Sequence, residues 1–239
     1  MLIPNPQSNA NQEFSPETVV RRYDDWAASY DEDRFENSYG RYVHAQEERL
    51  LRRWLASFRG GRVLSLACGT GRFMEFASHG LDPSHEMAAV ARRKHPAKTI
   101  LVGCAEDLPK HGLSFNAIFC LHLFMHLTPS LIAQILEVCA QCVRPGGVLI
   151  FDLPSARRRA LTGFRPAGWH AGNALTHPQV QGMLGERWRI RHCRGILFFP
   201  IHRVPSRLRT WLRPLDDAFS TTPLKHGASY LIYCAQRLP

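Results

Sequence analysis

A short run at residues 63–71, VLSLACGTG, restricts the fold more than any other part of the sequence. It is largely apolar and leads directly into a turn that contains Gly69 and Gly71. A run without polar alternation is typical of a strand buried on both faces. Glycine lacks a Cβ atom, so such a turn lets the backbone approach a ligand closely. At the carboxyl end of a strand in an α/β sheet, this is where nucleotide-like ligands bind.

Short apolar strands alternate with helices along the chain after this turn. Because the strands are continuously apolar, we expect them to be parallel and covered by helices on both faces, which is an α/β architecture. The predicted strands are 100–103, 116–123 and 148–154, and the predicted helices are 84–95, begun by Ser84, and 128–143, begun by Thr128.

The N-terminal region is predicted to form a helical cap over residues 15–59. Ser15, followed by proline, begins a helix that extends through Tyr23 and Trp26, and an apolar stripe predicts a second helix over 41–58. Residues 1–14 are polar and rich in asparagine and proline, so we expect a disordered tail.

The composition changes after Pro154. Residues 155–174 are rich in arginine, glycine and proline, which predicts a loop or small lid. No boundary divides the chain, so we expect one domain over 15–239. The remaining predicted elements are a helix from Thr176 to about 186, strands over 188–199 and 229–237, and between them an arginine-rich helix over about 205–219 that contains Pro214.

The formal net charge of +10 is placed unevenly. Residues 1–150 contain 16 basic and 16 acidic side chains, whereas residues 151–239 contain 14 basic and 4 acidic ones. This asymmetry has two interpretations: an anionic partner near the C-terminal third, or a solvated basic surface.

Seven cysteines, an odd number, are scattered through apolar segments, which favours buried free thiols in a reducing compartment over a disulfide framework. Cys139 and Cys142 are one turn apart in a helical pattern without further ligands, so we interpret them as core residues rather than metal ligands. The N-terminus lacks a signal-peptide pattern and no apolar run reaches the roughly 18 residues of a membrane span, so we expect a cytoplasmic protein.

Chemistry-bearing residues follow the first strand in a recognisable order. Asp82 ends the next apolar segment and could accept hydrogen bonds from both hydroxyls of a ribose. Met87, one turn into the following helix, could pack beneath an adenine ring. Ala105 and Glu106 follow the third strand.

The segments VLSLACGTGRF, GLDPSHEM, AEDLP, FNAIFCLHLFMHL and VRPGGVLIFDLP resemble, in this order, the motifs of class I S-adenosylmethionine-dependent methyltransferases. The most similar group includes ubiquinone- and menaquinone-type enzymes. The N-terminal YDDWAASYD resembles that family's helix that closes over the cofactor, and the resemblance covers residues 19–154. It implies a Rossmann-like, doubly wound, mostly parallel sheet of seven strands that ends in an antiparallel hairpin.

The resemblance also implies S-adenosyl-L-methionine as cofactor and assigns residues to it. Ala67, Gly69 and Gly71 would line the methionine part, and Asp82 would bind the ribose. Met87 would stack on the adenine, with Ala105 and Glu106 at its border, and the backbone near Cys120 and His122 would face the sulfonium. Tyr30 and Cys68 are further candidate contacts with the cofactor.

Three features depart from the family pattern. The family usually has an acidic residue where Ser65 stands and a glycine where Ala67 stands, and it often has Asp or Asn at the position of Cys104. In addition, only residues 72–81 separate Gly71 from Asp82. Ten residues cannot form a helix, a turn and a strand, so we expect the first helix to be lost or reduced to a turn.

The predicted activity is methyl transfer to a small-molecule acceptor, with O-methylation favoured over N- and C-methylation. Methyl transfer from a sulfonium is an in-line displacement, and a base is needed only when the acceptor is not already ionised. His122, at the carboxyl end of the fourth strand, is the candidate base. His126, His170 and His202 are further candidates, of which His126 is interpreted as structural, and for each of the four histidines a non-catalytic role is favoured over that of a base.

Two alternatives remain open at this stage. The basic C-terminal third suggests an RNA methyltransferase, although the sequence has no recognisable RNA-binding module, which argues against a nucleic-acid partner. A non-catalytic binding protein with the same fold is the other alternative. The helix over 204–219 combines arginines with an apolar side, and we expect this side to cover the sheet. The alternative is an interfacial helix whose arginines face anionic lipid at a membrane surface, which would suit a hydrophobic acceptor. An anionic acceptor would suit the basic C-terminal third. The oligomeric state stays open.

Overall fold

The computed structural model describes residues 16–165 and 172–239, with side chains from residue 17. These residues contain the seven-stranded sheet that the resemblance implies, and its strands are in the order β3-β2-β1-β4-β5-β7-β6. The strands are β1 Val63–Leu66, β2 His79–Asp82, β3 Thr99–Val102, β4 Phe115–Cys120, β5 Val143–Pro154, β6 Trp188–Ile196 and β7 Tyr230–Arg237.

Strands β1 to β5 pair in parallel, and β7 is antiparallel to both of its neighbours, β5 and β6. The order of the strands reverses between β1 and β4, because β2 and β3 extend from one side of β1 and β4 and β5 from the other. At such a switch point the loops after neighbouring strands diverge and leave a crevice at the carboxyl ends of the strands. This crevice is where ligands of doubly wound folds bind.

Eight α-helices are described, and side chains at their N-termini mark several of the predicted starts. Ser84 accepts a hydrogen bond from the Met87 N–H, and Thr128 accepts one from the Leu131 N–H. The helices are α1 Pro16–Trp26, α2 Tyr30–Phe35, α3 Ser38–Trp54, α4 His85–Lys94, α5 Pro129–Cys142, α6 Ala156–Thr162, α7 His177–Leu184 and α8 Ser206–Phe219.

Two hydrophobic clusters fill the space on the two faces of the sheet. Phe115 and Tyr233 belong to the first, which includes residues of α5 and α7, whereas Trp54 and Ile150 belong to the second, which includes residues of α3. Burying a side chain of this size contributes about 1.5–3 kcal/mol to stability. Continuous apolar strands are therefore required here, because both faces are covered.

The cysteines are free, and all except Cys104 are buried, so the expectation of buried thiols is wrong at that one position. Cys139 and Cys142 lie in the core, and burial raises the pKa of both thiols. This environment confirms the interpretation of the pair as core residues.

The connection between β1 and β2 contains one short 3₁₀ turn, Met74–Phe76, in place of a helix. This confirms the expectation drawn from the ten residues between Gly71 and Asp82. The remaining residues of the connection pack against α3: Phe73 and Met74 are buried in the same cluster as Leu51. The α3 helix therefore covers this part of the sheet.

Several predicted boundaries are wrong. Strand β4 ends at Cys120 rather than at residue 123, because the chain adopts φ of 63° at His122. Strand β5 begins at Val143 rather than at residue 148, and the PGG segment at 145–147 lies inside an irregular part of the β4–β5 pairing. The second predicted helix ends at Trp54, and residues 56–58 form a separate 3₁₀ turn.

Two helices were not expected. Helix α2 follows the YDDWA segment, and α6 occupies the first part of the predicted loop at 155–174. Ser155 begins α6, and Gly163, with φ of 63°, ends it. The predicted tail at 1–14 and residues 166–171 of the predicted lid lie outside the described residues.

Candidate active site

The glycine turn lies at the carboxyl end of β1 and has left-handed backbone at three positions. These are Ala67, Gly69 and Gly71, with φ of 53°, 54° and 83°. A Cβ atom at Gly71 would lie 2.8 Å from the ring of His95, so this glycine is required by packing. At Gly69 a Cβ atom would meet nothing within 4 Å. The turn is thus closed beneath Gly71 and open beside Gly69.

Asp82, at the end of β2, is buried next to this open side. Its carboxylate accepts hydrogen bonds from the Gly69 N–H at 2.7 Å and the Ser84 N–H at 3.0 Å. Burial raises the pKa of Asp82 to about 6, although both hydrogen bonds lower it. An ionised carboxylate can accept about four hydrogen bonds, so Asp82 has capacity for two further donors. The hydroxyls of a ribose are such donors.

The N-terminal helices are attached to this region by two aspartates of the YDDWAASYD segment. Asp24 accepts hydrogen bonds from the Ser84 hydroxyl at 2.5 Å and from the Glu86 N–H at 3.2 Å. Asp31 accepts one from the Thr70 hydroxyl at 2.6 Å and binds Lys94 at 2.8 Å. Helices α1 and α2 are therefore attached to the glycine turn and to both ends of α4.

The other predicted cofactor residues surround the same crevice with different exposure. Tyr30 lies in an aromatic group, with its ring 6.1 Å from that of Tyr23 and 5.7 Å from that of Phe35. Met87 is 1% exposed, so its side chain is buried in the protein near Asp82.

Residues after β3 and β4 complete this edge of the sheet. Ala105 is buried and Glu106 is exposed in the 3₁₀ turn Ala105–His111. Cys68 and Cys120 are both buried, and burial raises the pKa of each thiol. Neither sulfur is therefore a thiolate at neutral pH.

Four charged side chains meet beside the glycine turn. Glu47 and Asp152 are buried, and Arg72 and His122 are partly buried. Arg72 Nη1 lies 2.7 Å from one Glu47 oxygen, and His122 Nε2 lies 2.6 Å from the other. His122 Nδ1 lies 3.7 Å from Asp152 Oδ2, beyond hydrogen-bond distance. We call these residues the charge cluster. It joins α3, the glycine turn, the loop after β4 and strand β5.

The charge cluster determines the ionisation of its members. Burial raises the pKa of Glu47, but Arg72 and His122 outweigh it and lower that pKa to about 2. Burial lowers the pKa of His122, but the carboxylates of Glu47 and Asp152 outweigh it, so that pKa is raised. Burial raises the pKa of Asp152. Glu47 is thus a permanent anion beside a histidine that binds protons more strongly than usual.

The backbone fixes the position of the His122 ring. His122 has φ of 63°, and its N–H donates a 2.6 Å hydrogen bond to Asp152 Oδ1. The side chain is 22% exposed, so a small molecule can reach it. The three other candidate histidines have different surroundings. His126 lies in a 3₁₀ turn, His202 is exposed, and His170 lies outside the described residues.

Sequence reasoning found His122 but missed the other three members of the charge cluster. Two of them carry a signal. Glu47 lies four residues from both Val43 and Leu51, on the side of α3 that the apolar stripe buries. Asp152 interrupts a continuous apolar strand, where a charged residue needs a partner. Arg72, directly after the glycines, has no distinguishing sequence signal.

A cavity of about 490 Å³ lies elsewhere, at the amino ends of β1 and β2. Its lining includes Val63, Ser78 and Lys98. It is therefore at the opposite edge of the sheet from Asp82 and His122. Within residues 16–165 and 172–239, no helix is long and apolar enough to cross a bilayer.

Known proteins resemble this chain in sequence and in fold. Residues 63–147 match the family model of a methyltransferase domain. A phosphatidylethanolamine N-methyltransferase of Cereibacter sphaeroides is 28% identical over 178 residues, which cover 66% of this chain and 83% of that protein. A solved S-adenosylmethionine-dependent methyltransferase from Clostridium acetobutylicum is 14% identical with a TM-score of 0.63, over 91% of this chain and 100% of that one. Magnesium protoporphyrin IX methyltransferase from Synechocystis, solved with bound S-adenosylmethionine, is 16% identical with a TM-score of 0.58, over 96% and 100%.

The parallel strands with their antiparallel end, and the glycine turn at the switch point, define a Rossmann-like methyltransferase fold. The sequence match lies on the part of that fold that contains the glycine turn and the strands around it. The chain therefore has the fold of the class I S-adenosylmethionine-dependent methyltransferases, and its residues 63–147 match a methyltransferase domain.

Proposed function

We propose that the protein transfers a methyl group from S-adenosylmethionine to a hydroxyl of a small-molecule acceptor, with His122 as the base. The observation that carries the proposal is the position of His122. It is a partly exposed imidazole between two buried carboxylates, at the carboxyl end of β4 and beside the glycine turn.

The residues at the crevice fit the cofactor. Gly69 leaves open space next to the Asp82 carboxylate, which has capacity for two donors, as an adenosine requires. Asp82 would hold the ribose, Gly69 and Gly71 the methionine part, and Ala105 and Glu106 would border the base. The bound cofactor supplies the methyl group on a sulfonium. The chain supplies orientation and a place for the proton.

The charge cluster prepares His122 to accept a proton at Nδ1. Nε2 lies 2.6 Å from an oxygen of Glu47, and this contact favours a proton on one of the two atoms. Because Glu47 is ionised, the proton belongs to Nε2, and a neutral His122 has its lone pair on Nδ1. The acceptor oxygen forms a bond to the methyl carbon as the carbon–sulfur bond breaks, and the hydroxyl proton passes to Nδ1. Glu47 and Asp152 then stabilise the imidazolium.

A second candidate is N-methylation of a lipid amine. It is favoured by the likeness to a phosphatidylethanolamine N-methyltransferase over 83% of that protein's length. An amine with a free lone pair attacks without losing a proton first, so this reaction would not depend on His122 in the same way. The two candidates therefore differ in what a His122 variant does.

The first test measures by calorimetry whether the protein binds S-adenosylmethionine and its demethylated product. The second measures transfer of a labelled methyl group from the cofactor to low-molecular-weight extract fractions. His122→Asn is the variant of choice because asparagine tolerates the left-handed backbone at this position. The matched control is His202→Asn, at an exposed position.

We expect His122→Asn to bind the cofactor normally and to lose about 10²- to 10⁴-fold in transfer to a hydroxyl acceptor, the usual contribution of a general base. The control should keep full activity. Transfer unchanged in His122→Asn would remove the base role, and labelling of an amine fraction alone would favour the second candidate. Absence of binding heat and of a thermal shift with both ligands would refute enzymatic function.

A further inference from the structure

Helix α8 exposes its apolar side. Leu208, Trp211, Leu215 and Phe219 are spaced by three and four residues, which places them on one face of the helix. All four are exposed, and Trp211 is 82% exposed. An amphipathic helix on a globular protein ordinarily turns such a face toward the core. The orientation of α8 is the reverse.

Buried polar contacts hold α8 in this orientation. Asp216 is fully buried and accepts hydrogen bonds from the Tyr42 hydroxyl at 2.8 Å and the Phe198 N–H at 2.7 Å. Its neighbour Asp217 accepts one from Gln46 at 3.0 Å. A rotation of the helix that buried its apolar face would expose or break these contacts, and an unpaired buried carboxylate costs several kcal/mol. The outward apolar face is therefore built into the fold.

The apolar face of α8 has neighbours of the same kind. The 3₁₀ turn Pro223–Gly227 follows α8 closely and exposes Leu224. Its carbonyls accept hydrogen bonds from Ser155 and Arg158, at the start of α6. Seven of the eight exposed large apolar side chains of the described residues belong to α8, this turn and the segment 156–164. We call this set the docking face: Leu161, Phe164, Leu208, Trp211, Leu215, Phe219 and Leu224.

The side chains around the docking face carry mainly positive charge. Residues 156–165 and 201–227 contain nine basic side chains and only two acidic ones, Asp216 and Asp217. Asp216 is buried, and Asp217 forms an ion pair with Arg49, so neither offers a free negative charge at the surface. The exposed basic side chains are Arg157, Arg165, Arg203 and Arg207.

We propose that the docking face binds the surface of an anionic lipid bilayer, with α8 lying in the plane of the interface. Tryptophan and leucine side chains enter the boundary between headgroups and acyl chains, and the surrounding arginines bind lipid phosphates. An exposed tryptophan on an apolar face ringed by arginine is the pattern that this environment stabilises. The proposal is independent of which acceptor the enzyme methylates.

The test is co-sedimentation of the full chain with vesicles of phosphatidylcholine alone and of phosphatidylcholine mixed with phosphatidylglycerol. We expect binding to the mixed vesicles that weakens with salt. Trp211→Glu and Arg207→Glu should each weaken it by on the order of tenfold or more. The matched control is Arg93→Glu, an equal charge change at an exposed position of α4, which packs on β2 and β3, whereas α8 packs on β6. This variant should bind as the unchanged protein does.

Two further measurements show whether the variants are folded and whether Trp211 itself enters the lipid. Thermal melting and calorimetry with S-adenosylmethionine should be the same for Trp211→Glu as for the unchanged protein, because this side chain makes few contacts. Brominated lipids should quench tryptophan fluorescence, and Trp211→Phe should remove most of the quenching.

Three outcomes overturn the proposal. The first is no sedimentation with mixed vesicles. The second is equal loss of binding in Arg93→Glu and Arg207→Glu, which would indicate attraction by net charge alone. The third is a dimer in solution that Trp211→Glu dissociates without any vesicle binding, which would assign the docking face to a second copy of the chain.

Discussion

Replacing Asp82 with asparagine separates the cost of burying a carboxylate from its use in binding. The pKa of Asp82 is raised from 3.8 to about 6, chiefly by burial. A difference of this size corresponds to about 3 kcal/mol, since one pKa unit is about 1.36 kcal/mol. The folded state binds the proton more tightly than the unfolded state, so this group makes the protein less stable as pH rises from about 4 to 6. Asparagine has no such pH dependence.

The expected result is a pH-dependent difference in stability. Between pH 4 and pH 7, Asp82→Asn should gain about 3 kcal/mol in the free energy of unfolding relative to the unchanged protein. The amide must face either the Gly69 or the Ser84 N–H with its NH₂ group, which costs about 1–3 kcal/mol at both pH values. At pH 7 the two effects offset each other. Urea unfolding at both pH values measures the difference.

Asp82→Asn should weaken the binding of the cofactor, although it removes the stability cost of the buried carboxylate. Hydrogen bonds to a charged acceptor contribute about 1.5–3 kcal/mol, so Asp82→Asn should bind S-adenosylmethionine roughly 10- to 100-fold more weakly at pH 7. In the unchanged protein, affinity should fall below about pH 6, by up to tenfold per pH unit, because ribose hydroxyls bind the ionised carboxylate. The variant should lack this dependence.

The matched control is Glu137→Gln, which removes a carboxylate of α5 that pairs with Arg187 at the surface. It should leave both cofactor affinity and the pH dependence of stability unchanged. A stability difference between Asp82→Asn and the unchanged protein that is flat from pH 4 to 7 would contradict the account of burial. Equal cofactor affinity of the two proteins would contradict the role of Asp82 in binding.

Three further substitutions test the crevice and the charge cluster. Glu47→Gln removes the carboxylate that raises the pKa of His122, so the rise of kcat/KM with pH should move to lower pH in a rate profile; an unmoved inflection would argue against His122 as the titrating base. Gly71→Ala brings a Cβ atom to within 2.8 Å of the His95 ring at φ of 83°, and should lower the free energy of unfolding by about 1–3 kcal/mol, as denaturant titration measures. Ala67→Gly removes the strain of left-handed backbone at φ of 53°, so it should raise the free energy of unfolding by up to about 1 kcal/mol and with it the melting temperature. Calorimetry should show unchanged affinity for the cofactor.

The sheet and the crevice could be predicted because both depend on local sequence. A buried strand needs a continuous apolar run, and the turn at Gly71 needs a residue without a Cβ atom. The loss of the first helix followed from chain length alone, since ten residues cannot span a helix and a strand. These constraints depend only on neighbouring residues and not on contacts between distant segments.

Other features depend on contacts between distant segments. The left-handed backbone at His122 is set by Asp152, thirty residues further on, and therefore the end of β4 could not be predicted from its own residues. The partners Glu47 and Arg72 come from a helix and a turn that the sequence does not bring together. The apolar periodicity of α8 was visible, but which way the helix turns is decided by Asp216 and its donors.

The residues that flank helix α6 are a local signal for a helix. Ser155 and Gly163 are ordinary first and last residues for a short helix, and the residues between them include good helix formers. The high content of arginine, glycine and proline across 155–174 obscured this, because composition averaged over twenty residues hides a helix of seven.

The charge cluster has a consequence for redesign of this protein. Here Glu47 belongs to the cap and is the common partner of Arg72 and His122. A chimera that replaced residues 15–59 would leave two cations without their shared anion inside the protein. Any donor cap must therefore carry an acidic side chain to the same place, or His122 and Arg72 will lose their shared partner.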